Sequence, residues 1–381
     1  MANDTKAIRE PLLHITKRDA VPMWESWAIR IGAILAAFVV CAIVTVVLTG
    51  ENPFYVFQAM FKGAFGNANS WNRKIWILLN DVCILLGVSL AITPAFKMRF
   101  WNIGANGQVL VGGLAAAACM IYLGGKLPSP IYYVVLLASC LLAGALWAII
   151  PAIFKAKWGT NETLFTLMMN YVATLLVSFS LAIWAKDGSG SLAAQKTGHL
   201  PRLFNIESLL VILIILVLTV AMYVYLNYTK QGYEIAVVGE SENTARYVGI
   251  RTGKVVIRTM LISGAICGLC GFLIVGAFDH SIHAETTVGG RGFTAIMVSW
   301  LAKFNPIAMI ATALLVVFLQ QGGAKLSSYF RVSNAFPNMV VGIVLFFIIG
   351  CEFFIQYRLI FRRSNPKAPT EAVVQKGEKD A

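Results

Sequence analysis

Long apolar runs alternate with short polar joints along almost the whole chain. Runs free of charged residues extend over 31–50, 100–125, 127–154, 163–185, 208–229, 304–324 and 332–351, and two more, 75–96 and 255–278, are interrupted once each, by Asp81 and Arg258. A hydrocarbon layer about 30 Å thick needs roughly 20 apolar residues in a helix, so each of these runs predicts a transmembrane helix. A tenth segment, 292–302, is apolar but too short to span alone. The pattern predicts an all-α polytopic membrane protein with about ten transmembrane helices and a broken or re-entrant segment at 292–302.

Composition agrees with that reading: of 381 residues, 58% are hydrophobic and 13% charged, against about 25% charged in soluble domains. Basic residues outnumber acidic ones, 31 to 18. In a membrane chain this excess reflects retention of Lys and Arg on the cytoplasmic side rather than a nucleic-acid partner. With ten crossings and a cytoplasmic N-terminus, 21 basic residues fall inside and 10 outside, which predicts both termini in the cytoplasm. The domains expected are a cytoplasmic tail over 1–27, a transmembrane domain over 28–357 and a cytoplasmic tail over 358–381, where Pro366, Pro369 and scattered charge predict disorder. No cleavable leader is expected, because polar residues of mixed charge precede the first apolar run, which is read as a signal anchor. All seven cysteines lie in apolar runs. Cys267 and Cys270, although spaced as C-x-x-C, are read as small core residues, since redox or metal chemistry needs a thiolate near water.

The two halves of the chain echo one another. Ile103-Gly104-Ala105-Asn106-Gly107 is matched by Val288-Gly289-Gly290-Arg291-Gly292, and both 91–96 and 273–278 close on Ala-Phe. The topology puts the first motif on the cytoplasmic side and the second on the external side, so inverted repeats are predicted, with a pathway where they meet. The external stretch 51–74 is aromatic at helical spacing and is read either as a helix along the membrane surface or as a packed loop helix.

No enzyme motif is present. The run 249–255 imitates a phosphate loop but has the wrong spacing and Val255 where Ser or Thr would hold magnesium. Asp279, His280, His283 and Glu285 lack an orienting shell and are read as a solvated loop, so no metal site is expected. The amides of Asn102, Asn106 and Gln108, with Gly104 among them, are costly in lipid and are expected where a helix breaks beside a water-filled path. Asn161 is expected to cap the helix that follows it, while Glu162 and Asn170 are expected to face the protein interior. Asp81 is the carboxylate inside an apolar run, Arg258 its basic counterpart, and Arg258 lies close enough to Lys254 to reach the cytoplasmic surface.

The polar stretch 232–250 predicts a short helix. Ser241 is its cap, Glu242 and Arg246 stand at i and i+4, and Gly249 ends it. Two turns do not persist alone in water. The element is therefore read as a docking element, with Ala245, Val248 and Ile250 offering apolar contact and Glu240, Glu242 and Arg246 charged register.

The segments Asn102-Ile103-Gly104-Ala105-Asn106-Gly107-Gln108 and 236–246 (AVVGESENTAR) resemble the N-I-G-x-x-G-Q pattern and the cytoplasmic loop of permease subunits from bacterial ABC importers for simple sugars, nucleosides and branched-chain amino acids. The resemblance runs from about Phe54 to Tyr357 and looks most like the nucleoside branch; Thr244-Ala245 departs from the pair of small residues common in the family. It implies that Gly239, Glu240, Ser241, Glu242, Asn243, Ala245, Arg246 and Gly249 form a coupling helix seated on a separate cytoplasmic ATPase subunit. Asn102, Gly104, Asn106, Gln108, Asn161 and Asn170 would line or shape the translocation pathway. A second permease subunit, as a heterodimer, and an external substrate-binding protein are implied as partners. ATP and magnesium would sit on the ATPase, no cofactor in this chain, and the location would be the bacterial inner membrane. A ribose-type sugar permease and an ion-coupled secondary transporter are the alternatives, the latter disfavoured by the scarcity of embedded carboxylates.

Overall fold

The computed structural model describes residues 13–18, 22–50, 52–67, 70–185, 192, 199–200, 207–330 and 335–361. Its elements are β1 (Leu13–Lys17), α1 (Met23–Thr49), α2 (Pro53–Phe65), α3 (Trp71–Lys97), α4 (Ala105–Leu123), α5 (Ser129–Trp158), α6 (Glu162–Trp184) and α7 (Glu207–Tyr228). Then follow α8 (Lys230–Glu240), α9 (Glu242–Tyr247), α10 (Thr252–Leu273), a π-helical turn (Ile274–Asp279), α11 (Arg291–Leu301), α12 (Pro306–Phe330), α13 (Ala335–Gln356) and β2 (Tyr357–Phe361). Among the described residues nine helices are long and apolar enough to cross a membrane. They fall on the nine long apolar runs, and α11 falls on the short one.

The chain divides into two compact units, 1–44 with 342–381, and 45–341. In the first, β1 pairs antiparallel with β2, Leu13 opposite Phe361 and Lys17 opposite Tyr357, and Arg30 of α1 bonds Glu352 of α13 at 3.0 Å. The expectation of a disordered tail from Arg358 is corrected here: Tyr357–Phe361 is rich in aromatic and β-branched residues that suit a strand, and it pairs with Leu13–Lys17. The remainder of that tail, 362–381, and most of the N-terminal tail lie outside the described residues.

In the second unit α10 is the central helix, packed against α3, α4 and α5. Small residues make this possible. Gly264 and Gly268, one turn apart on α10, meet Gly144 of α5, and Gly268 also meets Gly112 of α4, while Gly271 lies on the backbone of Val109 and Gly113. A Cβ at Gly268 would collide with the Cys140 carbonyl oxygen. Without a hydrophobic driving force between helices in lipid, such backbone-to-backbone approach is a principal source of association. Cys267 and Cys270 are fully buried on the same helix, the second filling the space beside Gly87 of α3. The aromatic stretch at 53–65 is a helix packed on α12: Gly63 of α2 is against Lys325 and Gly322 of α12 against Met60, with Phe61 and Phe318 edge to face at 5.1 Å.

The register of α11 settles how its short run is used. Asp81 of α3 meets Arg291 at the start of α11, Ser89 meets Ser299, and Phe96 stacks near Phe304 just past its end. The two helices run parallel, and α11 covers the half of the crossing from Asp81 to the end of α3. The irregular segment 280–290 leads from the π-helical turn to the start of α11.

Gly268→Val is expected to destabilise the protein by about 3 kcal/mol or more through overpacking, whereas Gly342→Val, with open space around its Cβ position, is expected to be near neutral. Thermal unfolding of the two variants in detergent checks this.

Candidate functional site

α3 ends in a turn that reverses the chain: Phe100 N–H donates to the Ala95 carbonyl and Arg99 N–H to that of Phe96, both at 2.9 Å. Arg99 takes φ +61° to close it. The chain then climbs in irregular form to Gly104 before α4 begins. Asn102 stands against Ser263, Gly112 against Gly268 and Gly113 against Val275, so α4 rises alongside α10. Irregular backbone at such depth is tolerated only where protein groups satisfy it.

Here each satisfying group is identifiable. Asn102 Oδ1 accepts from Gly104 N–H at 3.1 Å and from Gln108 Nε2 at 3.2 Å. Its Nδ2 donates back to Gln108 Oε1 at 3.3 Å. Thr166 Oγ1 accepts the Ile103 N–H at 3.2 Å. Asn170 uses both ends of its amide, accepting from Gly107 N–H at 2.8 Å and donating to the Ile103 carbonyl at 3.0 Å. Asn102 and Gln108 are buried and saturated by one another. Their contribution is to hold the break, and α6 holds it from the other side through Thr166 and Asn170. Gly104 has little spare room, a Cβ there meeting Thr166 at 3.1 Å. Asn161 is the N-cap of α6, accepting from Leu164 N–H at 3.1 Å, and is exposed at the helix start.

The second Gly-rich motif starts α11, with Gly289 and Gly290 at φ +55° and +75°. The two motifs touch: Asn106 Oδ1 accepts the Gly292 N–H at 2.7 Å. Because α11 runs with α3 and α4 runs with α10, and Ala95 of α3 lies in one buried cluster with Val256 and Met260 near the start of α10, the two broken helices leave this point in opposite directions. Their N-termini, each carrying roughly half a positive charge, converge where the repeats meet. Opposed broken helices of this kind are what the expected inverted repeats would bring together. The two motifs therefore do not stay at opposite faces; the loops lead inward from opposite sides and the helix starts meet.

An acidic group that faces this positive end is Asp81, with Asp279 also within electrostatic reach of Arg291. Asp81 Oδ1 accepts from Arg291 Nη2 at 3.0 Å and its Oδ2 from Gln321 Nε2 at 2.8 Å, while Arg291 Nη1 donates to the Thr287 carbonyl at 3.1 Å. Arg258, the basic charge of the other interrupted run, bonds Glu234 at 2.9 Å. Sequence reasoning missed Arg291 and Gln321 as partners. The available signal was Arg291 itself, a charge inside a Gly-rich helix start that echoes the motif at 103–107. No group of three or more His, Cys, Asp or Glu side chains able to hold a metal ion exists among the described residues, and His280 instead contacts His199, Nδ1 to Nδ1 at 2.7 Å.

The polar stretch 232–250 forms the end of α8, then α9. Ser241 Oγ caps α9 by accepting from Thr244 N–H at 3.2 Å. Glu242 and Arg246 pair at 3.6 Å, an exposed contact worth a few tenths of a kcal/mol. Gly249 takes φ +79° in a turn closed by Ile250 N–H to Ala245 O at 2.9 Å. Ala245 is corrected as a contact residue: it is fully buried among Met98, Phe100, Val238, Val255 and Met260. Tyr247 (94% exposed) and Val248 (64%) carry the free apolar surface, with Glu240, Glu242, Asn243 and Arg246 beside them. Gly239 lies against the backbone of Lys97, where a Cβ would strike the carbonyl oxygen. A cleft of about 180 Å³ bordered by Arg99, Lys155, Glu162, Glu240 and Glu242 opens next to the element, and Lys155 and Glu162 pair across it at 2.8 Å.

A family model described as "Branched-chain amino acid transport system / permease component" matches residues 74–349. The chain is 28% identical to a glucose ABC transporter permease protein of Haloferax volcanii, over 94% of this chain and 97% of the relative. It is 27% identical to a nucleoside ABC transporter permease protein of Lactococcus lactis subsp. cremoris, over 96% and 99%. It is 28% identical to a guanosine ABC transporter permease protein of Bacillus subtilis, over 77% and 84%.

Asn170→Leu strips partners from Ile103 O and Gly107 N–H together, at roughly 1–3 kcal/mol for each group left unsatisfied. The expected outcome is a lower thermal midpoint in detergent and faster hydrogen exchange at the Gly107 amide.

Proposed function

The chain belongs to the branched-chain amino acid transport system / permease component family, and from that premise we propose that it is the membrane-spanning subunit through which an ABC importer carries nucleosides. The observation that supports a pathway in this chain is the Asn106–Gly292 hydrogen bond, which joins two broken helices of opposite direction beside a partly exposed ion pair. Nucleoside cargo is supported by the likeness to the Lactococcus and Bacillus permeases, named for nucleosides and guanosine. A sugar cargo is the second reading, supported by likeness to the Haloferax glucose permease over nearly the full length of both chains.

Energy enters from outside the chain. α9 docks in a cytoplasmic ATPase subunit, which holds ATP and magnesium, and presents Tyr247, Val248, Glu242 and Arg246 to it. Ala245 and Gly239 act from behind, fixing the element to the end of α3. When the ATPase subunits close, α9 moves with them and carries the 98–104 segment, which leads directly to the broken start of α4. A second permease subunit completes the pathway as a heterodimer, and an external binding protein delivers cargo. Both termini lie in the cytoplasm, a topology supported by the side bias of basic residues. Asn102, Gly104, Gln108 and Asn170 shape the path by holding the break, Asn106 lies at the junction itself, and Asn161 fixes the cytoplasmic start of α6.

Reconstitution with the ATPase, second permease and binding protein tests this reading. Uptake of labelled uridine that requires ATP is expected, and uptake driven by an ion gradient without ATP would overturn it. Glu242→Lys or Arg246→Glu is expected to leave membrane insertion intact and to reduce the uptake obtained per ATP hydrolysed. Normal coupling in both variants would place the ATPase contact elsewhere.

A further inference from the structure

An ion pair of this protein, Asp81 with Arg291, lies within the apolar length of a candidate membrane span and is partly exposed. At 1.5 Å per residue, Asp81 lies about 15 Å along α3 from Trp71 and about 24 Å from Lys97. The side chains of Arg291 and Asp81 are nevertheless 32% and 33% exposed. A charged pair at that depth does not face lipid; it faces water or another polar group. Three helices supply the site, Asp81 from α3, Arg291 from the first turn of α11 and Gln321 from α12. Gln321 gives its amide N–H to Asp81 at 2.8 Å. Its Oε1 is then buried with no hydrogen-bond partner among the described residues, an acceptor that costs stability unless something donates to it.

The chemistry of this group is specific. The carboxylate accepts and the guanidinium donates within one partly exposed patch beside two converging helix N-termini, and the buried amide oxygen of Gln321 adds an acceptor behind them. A neutral ring carrying adjacent hydroxyls suits it, since each hydroxyl both donates and accepts. We infer that Asp81, Arg291 and Gln321 form the subsite that recognises the hydroxyl groups of the cargo's sugar ring, the ribose of a nucleoside or the ring of a free sugar. This inference rests on the cargo reading given above.

The test uses the complete transporter with its binding protein, comparing ATP-driven uptake of uridine and of 2′,3′-dideoxyuridine. Because the binding protein is the same throughout, a change in the ratio between variants reports the permease. Gln321→Leu leaves the Asp81–Arg291 pair in place, and Asp81→Asn weakens it. Both are expected to lower the uridine to dideoxyuridine ratio about tenfold, the loss of one hydrogen bond to a charged group, with dideoxyuridine uptake little changed. Equal loss for both cargos, or no change for either, would overturn the subsite and leave a purely structural pair. If the unaltered transporter imports glucose but not uridine, the nucleoside reading fails, and the same variants measured with glucose and its deoxy analogues still decide the subsite. A second readout is independent of turnover. All seven native cysteines are buried, so Gln321→Cys introduces the reactive thiol: labelling by a small hydrophilic thiosulfonate, slowed by uridine or glucose, is expected, and absence of labelling would show the site to be dry.

Discussion

A backbone N–H or carbonyl without a partner costs several kcal/mol in hydrocarbon, and this constraint decides where the chain is allowed to be irregular. It is met twice in the middle of the membrane. At the start of α4 the side chains of Asn102, Thr166 and Asn170 take the places that a preceding helical turn would fill. At the start of α11 Asn106 does so. The polar residues of the interior are thus accounted for first as hydrogen-bond partners of broken backbone. Function is built on the opening that those breaks create.

The glycine seam makes the arrangement compact enough to work. Gly264, Gly268 and Gly271 bring α10 into backbone contact with α4 and α5, and this holds Ser263 within reach of Asn102. Without that approach, the amide pair of Asn102 and Gln108 would lose the wall that keeps it dry. The docking end follows the same logic: Ala245 is buried against the turn that closes α3, so a six-residue helix too short to exist alone becomes part of a rigid body.

Much of this was legible in the sequence. The spans follow from uninterrupted apolar length, which lipid imposes directly, and the Ser241 cap, the Glu242–Arg246 pair and the Gly249 turn follow from local chemistry. The two Gly-rich motifs were visible in the sequence, but not that they touch, because that depends on how far the irregular residues before each helix climb. The pairing of Asp81 with Arg291 and Gln321 joins positions far apart in sequence and needed the parallel register of α3 and α11. Burial of Ala245 was hidden for a similar reason, since a small residue on a polar element reads as surface until the opposing face is known. The β1–β2 ribbon escaped because each strand is short and its partner lies at the other end of the chain.

The contact between Asn106 and Gly292 also constrains how the sequence can drift. A Cβ at residue 292 would sit 2.6 Å from Asn106 Oδ1, and any residue at 106 lacking a short acceptor would orphan the 292 amide. The two positions, one in each Gly-rich motif, are therefore expected to tolerate substitution only together, so the motifs are held to different side chains by the contact they share.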